Sequence, residues 1–345
     1  MSSSRLDAPF QWFGGKRKVA REVWARFGHV ANYVEPFFGS GAVLLGRPGA
    51  IAGNETVNDL DGFVANFWRA VANNPEETAQ WADNPVNEND LHARHAWLVG
   101  ARDTLRPSLE GDPDWCDPKI AGWWVWGISC WIGGGFCSGD GPWHVRDGQL
   151  VHLGNQGQGV RRQRVHLGDQ GQGVNRKLVH LGDQGQGVNR KRVHVHSRLV
   201  PWFHLLSERL RRVRVCSGDW SRVCGPSVTF KHGLTAVFLD PPYADTADRA
   251  PNLYREDSAS VAHAVREWAI ENGDRPDMRI ALCGYEEEHS MPATWRVHAW
   301  DAGDGYGGLA HGERTGNGRR ERIWFSPACL GQSQGNLFTT GIEAP

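Results

Sequence analysis

Four apolar residues, Ala236-Val237-Phe238-Leu239, run directly into Asp240-Pro241-Pro242-Tyr243. Proline has no N–H for a strand ladder, and it biases the residue before it away from helix. A buried strand therefore ends here, with a carboxylate, two prolines and an aromatic ring at its carboxyl end. A second short extended piece, Asn32-Tyr33-Val34-Glu35, also ends on an acid and leads into the loop Pro36-Phe37-Phe38-Gly39-Ser40-Gly41. Two strand ends of this kind call for a sheet whose carboxyl edge carries chemistry, and the acid, prolines and ring suggest amino-group chemistry on a planar base.

The remaining pattern agrees with an α/β sheet wrapped by helices. Val19, Val23, Trp24 and Phe27 have helical spacing, as do Phe63, Val64, Phe67, Trp68 and Val71, and later Val261, Val265, Trp268 and Ala269. Further strands are expected at 214–216, 278–283, 295–300 and 320–325. The rhythm is lost in the middle. Residues 75–103 and 120–132 read as helical, and then composition turns to glycine at Gly133-Gly134-Gly135. A discontinuous main domain is expected over 1–74 and 213–330, with an inserted region over 75–212 and a tail over 331–345.

The insertion contains three tandem copies of a 14-residue unit, at 151–164, 165–178 and 179–192. Each holds two or three apolar residues, too few to bury a core, so the array reads as an extended loop or β-ribbon. Between Val151 and Val215 thirteen Arg or Lys stand against three acids, a local +10 in a chain whose formal net charge is −1. A basic stretch on an otherwise acidic protein is the electrostatic footprint of a polyanion contact. Arg161, Arg162, Arg176, Lys177, Arg190 and Lys191 are the candidates within the repeats, and Arg319 and Arg320 in a glycine-rich loop near the end. The repeated His152, His166 and His180 have no Cys or carboxylate at ligand spacing, so no metal is expected. Seven cysteines without a C-x-x-C pair argue for reduced thiols. No apolar signal or membrane segment is visible, which points to a cytoplasmic protein.

The glycine loop is not a dinucleotide fingerprint, because Gly41 is followed by Ala42-Val43-Leu44, and no Gly-Lys-Ser/Thr marks a phosphate loop. A nucleoside ligand without phosphates is favoured. Asp59, in Val57-Asn58-Asp59-Leu60-Asp61, ends the next strand, where acids bind ribose hydroxyls; either Asp59 or Asp61 could instead cap a helix.

Taken in order, Trp12-Phe13-Gly14-Gly15-Lys16, Glu35-Pro36-Phe37-Phe38-Gly39-Ser40-Gly41, Asp59 and Asp240-Pro241-Pro242-Tyr243 resemble the Dam-like family of adenine-N6 DNA methyltransferases. The resemblance covers residues 8–72 and about 213–326. It implies a Rossmann-like methyltransferase fold, a mixed sheet flanked by helices, with an inserted target-recognition domain. It further implies S-adenosylmethionine as methyl donor and double-stranded DNA as partner, in a bacterial or phage-encoded protein, with a monomer compatible and restriction-modification among the roles. Trp12, Gly15 and Lys16 would line the cofactor pocket, Lys16 pairing with a carboxylate. Glu35, Pro36, Phe37, Gly39 and Gly41 would form its loop, with Glu35 near the aminoacyl end, Asp59 on the ribose and Asp219 near the adenine. Asp240 would serve both ligands.

The chemistry is consistent with that resemblance. Adenine N6 is a poor nucleophile because its lone pair is delocalised into the ring. Two acceptors, the Asp240 carboxylate and the Pro241 carbonyl fixed by Pro242, would localise it, and Tyr243 would stack on a base flipped out of the duplex. Methylation of cytosine N4 or RNA adenine, and a non-catalytic DNA-binding protein keeping the fold, are the alternatives.

Overall fold

The computed structural model describes residues 6–10, 12, 16–49, 53–112, 114–131, 136–137, 143–146, 149–152, 195–242, 259–300 and 321–331. Seven strands make one sheet: β1 (Asn32–Glu35), β2 (Asn54–Asp59), β5 (Val213–Ser217), β6 (Thr235–Leu239), β7 (Met278–Tyr285), β8 (Arg296–Ala299) and β9 (Glu321–Phe325). Their order is β5-β2-β1-β6-β7-β9-β8. The first five are parallel to one another, whereas β9 runs antiparallel to both β7 and β8. This is the mixed sheet of a Rossmann-like methyltransferase fold. A hairpin of β3 (Trp143–Arg146) and β4 (Gln149–His152) stands apart from it.

The apolar strands are central for the reason their composition suggests. All residues of β1 and β6 are buried, as expected where helices cover both faces. One face is covered by α1 (Ala20–Phe27), α2 (Ala42–Leu45) and α3 (Gly62–Asn73). On it Trp24, Tyr33, Phe63, Phe67 and Trp68 form a cluster that continues without a break into the inserted helices α4 (Pro75–Ala82), α5 (Glu88–Gly111), α6 (Pro118–Cys130) and α7 (Val195–Leu210). The opposite face buries Val34, Val237, Leu239, Ile280 and Leu282 against Val265 and Ala269 of α8 (Ala259–Gly273).

Most of the described tryptophans serve this packing. Trp68, Trp124 and Trp126 are fully buried, and Trp124 of α6 lies parallel to Phe63 of α3 at 6.5 Å while Phe10 meets it edge-on at 5.0 Å. Such rings bury 150–250 Å² each, roughly several kcal/mol apiece, which explains how α6 is held to the sheet layer. Helix starts are capped as their sequences suggest. Asp61 accepts the Phe63 N–H at 2.8 Å at the start of α3, and Asp117, followed by Pro118, accepts that of Ile120 at 2.8 Å at the start of α6. The helical stretch expected over 75–103 divides at residues 83–87, where Asn87 caps α5. Repeat residues 153–192 lie outside the described residues, and so do Arg161, Arg162, Arg176, Lys177, Arg190, Lys191, Arg319 and Arg320. Among the described residues no helix is long and apolar enough to cross a membrane.

Candidate active site

The strand order changes direction at β1. From it the chain builds outward through β2 to β5, then returns to β6 on the other side and continues to β7. Open α/β sheets bind ligands in the crevice beyond the carboxyl ends at such a switch. Here the two strands flanking it end in Glu35 and in Leu239-Asp240.

The loop after β1 is built by close packing. Gly39 and Gly41 have φ of +46° and +68°, in the left-handed region. A Cβ at Gly39 would lie 2.5 Å from the Trp12 ring, and one at Gly41 2.8 Å from the Phe38 ring, so both positions require glycine. The Gly39 N–H donates to Asp59 Oδ2 at 2.8 Å, and the Gly39 carbonyl accepts the indole N–H of Trp68 at 2.8 Å. Asp59 Oδ1 accepts the Asp61 N–H at 2.9 Å, so Asp59 holds the loop as well as standing at the end of β2. Asn58, unremarked in sequence, ties three segments: its amide donates to the carbonyls of Pro36 at 3.1 Å and Gly218 at 2.9 Å. Phe37 stacks on Trp220, centroids 6.3 Å apart and 27° inclined. Asp219 is exposed at the end of β5, and its Oδ1 accepts from the Ser221 N–H at 2.9 Å and from the Ser221 hydroxyl.

Charge gathers on the other side of the switch. Lys16, 4% exposed, places Nζ 3.0 Å from Asp240 Oδ1 and 3.4 Å from Glu321 Oε2, with the Trp300 ring centroid 5.6 Å away. Glu321 is brought there because β9 is antiparallel: its first residue pairs with Tyr285, the last of β7, at the sheet's carboxyl edge. Glu35 is buried, accepts the Tyr33 hydroxyl at 2.8 Å and also bonds the backbone N–H of Leu44. Its carboxylate is thus held by neighbours of the same layer and shielded from solvent.

Burial pushes the Glu35 carboxyl up to about 8, with the Tyr33 hydroxyl opposing and Asp240 adding to the rise. Burial also raises Asp240, to about 6, where the Lys16 ammonium restrains it and Glu321 drives it up. Glu35 is therefore neutral at pH 7 and Asp240 mostly ionised. Asp240 is also the most accessible of the three, its side chain 16% exposed against 5% for Glu321. A carboxylate so placed can accept hydrogen bonds from a ligand entering the crevice.

Of the sequence-predicted residues, Trp12, Lys16, Glu35, Pro36, Phe37, Gly39, Gly41, Asp59, Asp219, Asp240, Pro241 and Pro242 all lie along this edge, whereas Gly15 and Tyr243 fall outside the described residues. Sequence reasoning missed Asn58, Tyr33 and the role of Glu321; the one signal for Glu321 was an acid standing alone among arginines at the start of an apolar strand.

A model of the D12 class N6 adenine-specific DNA methyltransferases matches residues 12–97, which take in Lys16, the glycine loop and Asp59. The match supports a Dam-like adenine methyltransferase family and adenine methylation in DNA as the general activity. No curated protein matches the chain.

Proposed function

From the adenine-methyltransferase match over residues 12–97, we propose a site-specific DNA methyltransferase that moves a methyl group from S-adenosylmethionine to N6 of adenine in double-stranded DNA. The observation that carries this reading is the charge at the carboxyl edge, where Asp240 and Glu321 crowd around Lys16 with Glu35 behind them. Carboxylates buried in excess of cationic partners are costly, and a donor bearing both a sulfonium and an ammonium group relieves that excess. The donor set fits such a group, as does a glycine loop with no phosphate-binding lysine. S-adenosylmethionine supplies an electrophilic methyl group when bound.

The chain's own residues supply the rest. The Asp240 carboxylate, ionised near neutrality, and the Pro241 carbonyl accept the two hydrogens of N6 and draw its lone pair out of the ring. Asp240 is then the acceptor toward which N6 sheds a proton. Tyr243 stacks on the base, which is flipped out of the duplex at an unstacking cost of a few kcal/mol. The glycine loop, held by Asp59, Asn58 and Trp68, orients the donor, with Asp219 toward its adenine and Asp59 toward its ribose.

Residues 75–212 are the proposed target-recognition region on a discontinuous catalytic domain of 1–74 and 213–330. Arg161, Arg162, Arg176, Lys177, Arg190, Lys191, Arg319 and Arg320 are assigned to DNA contact from charge alone.

DNA from cells expressing the protein is expected to gain N6-methyladenine in a short sequence context, read by long-read modification sequencing. Asp240→Ala should abolish it. Unmodified DNA from wild-type expression would sink the reading.

A further inference from the structure

Building on that reading, we propose that Glu321 is a positioning residue, which shares the Lys16 ammonium with Asp240 and so sets how strong an acceptor Asp240 is. The geometry is direct. The Asp240 and Glu321 oxygens lie 3.0 Å and 3.4 Å from the same nitrogen, hence no more than about 6.4 Å from each other. Lys16 and Glu321 have side chains only 4% and 5% exposed, so water screens this triad poorly. The position is enforced by backbone. The Glu321 pairing with Tyr285 fixes the residue at the sheet edge, and its carbonyl accepts the Trp300 N–H at 3.3 Å.

Sharing has a chemical consequence. An ammonium held by Asp240 alone would neutralise it almost fully and leave a weak acceptor. Drawn partly toward Glu321, it leaves Asp240 ionised yet basic enough to take hydrogen bonds, and then a proton, from an amino group. Among the described residues, the other groups that act on Asp240 include Glu35 from β1, Cys283 from β7 and Glu288 from the turn after β7. Glu35 is neutral at pH 7, burial holds Cys283 as a thiol, and the Glu288 Oε2 accepts the Tyr285 N–H at 2.9 Å. Glu321 is the carboxylate seen on the same ammonium as Asp240.

The test uses the full chain with aspartate labelled at its carboxyl carbon. The Asp240 signal is identified by its loss in Asp240→Asn and followed by carbon NMR from pH 4 to 9. Glu321→Gln, nearly isosteric but uncharged, is expected to lower the Asp240 midpoint by about one pH unit. The acid limb of single-turnover methyl transfer should move down with it. Glu321→Asp, which keeps the charge one methylene back, should leave the midpoint near that of the wild type, and it remains informative if the Gln variant does not fold. A midpoint unmoved in Glu321→Gln, or displaced as far in Glu321→Asp, would overturn the proposal; so would a slower transfer whose acid limb stays in place. A wild-type protein that titrates as expected but methylates no adenine would instead overturn the enzymatic reading and leave the electrostatic one standing.

Discussion

Glu35 makes the stability of this protein depend on pH in a direction opposite to that of most carboxylates. An ordinary glutamate titrates near 4.5, whereas Glu35 in the folded chain titrates near 8. Between those values the folded state holds a proton that the unfolded state has released, so stability falls as pH rises. The contribution is fully present below pH 4.5 and is lost as pH passes through 8. The gap of about 3.5 units corresponds to about 5 kcal/mol in all, of which somewhat over about 3 falls between pH 5 and pH 8. Glu35→Gln copies the neutral carboxyl and keeps an oxygen for the Tyr33 hydroxyl, so it removes the dependence without emptying the site. Urea unfolding followed by tryptophan fluorescence at pH 5 and pH 8 measures both proteins, and groups common to the two cancel in the comparison. Between those pH values the wild type should lose about 3 kcal/mol more than the variant. Equal losses would refute the assignment of a neutral Glu35.

Arg209 of α7 donates to Glu55 at 2.6 Å and 2.9 Å and to the Leu44 carbonyl at 3.1 Å, while Arg47 approaches the same fully buried Glu55 at 2.8 Å. Arg209→Ala should cost about 3 kcal/mol in chemical denaturation because it leaves half of a buried charge uncompensated; a loss below about 1 would show that water replaces the guanidinium. Deleting residues 165–192 removes two repeats in register and five basic residues. If they meet phosphates, DNA affinity should fall and the slope of log affinity against log salt should flatten by about two or more, measured by fluorescence anisotropy; an unchanged slope would leave the repeats as a spacer.

How far the sequence could be read depended on the range of the interaction. β6 spans the apolar run 235–239 because a strand covered on both faces needs no alternation, and two prolines end it. The Asp61 cap and the α3 stripe were equally legible, since caps and helical periodicity are local. The carboxyl edge was legible only in part. Lys16 was expected to meet a carboxylate, but its second partner lies 305 residues away and is chosen by the antiparallel insertion of β9, which no local pattern announces. The burial of Glu35 was hidden for a similar reason. A strand-terminal acid reads the same whether it faces a ligand or its own neighbours, and here Tyr33, two residues earlier on the same strand, donates to it.

The antiparallel last strand also has a consequence for assembly. Lys16, Glu35, Asp240 and Glu321 come from four separate parts of the chain, and the carboxylate that completes the group is encoded last. Contacts across such separations form late, because the loop between them must close before the contact contributes anything. A nascent chain on the ribosome can already have paired β1, β2, β5, β6 and β7 and brought Lys16 to Asp240, yet the group is incomplete until β9 slides between β7 and β8. During synthesis the fourth member of this group therefore becomes available only after the other three have been made.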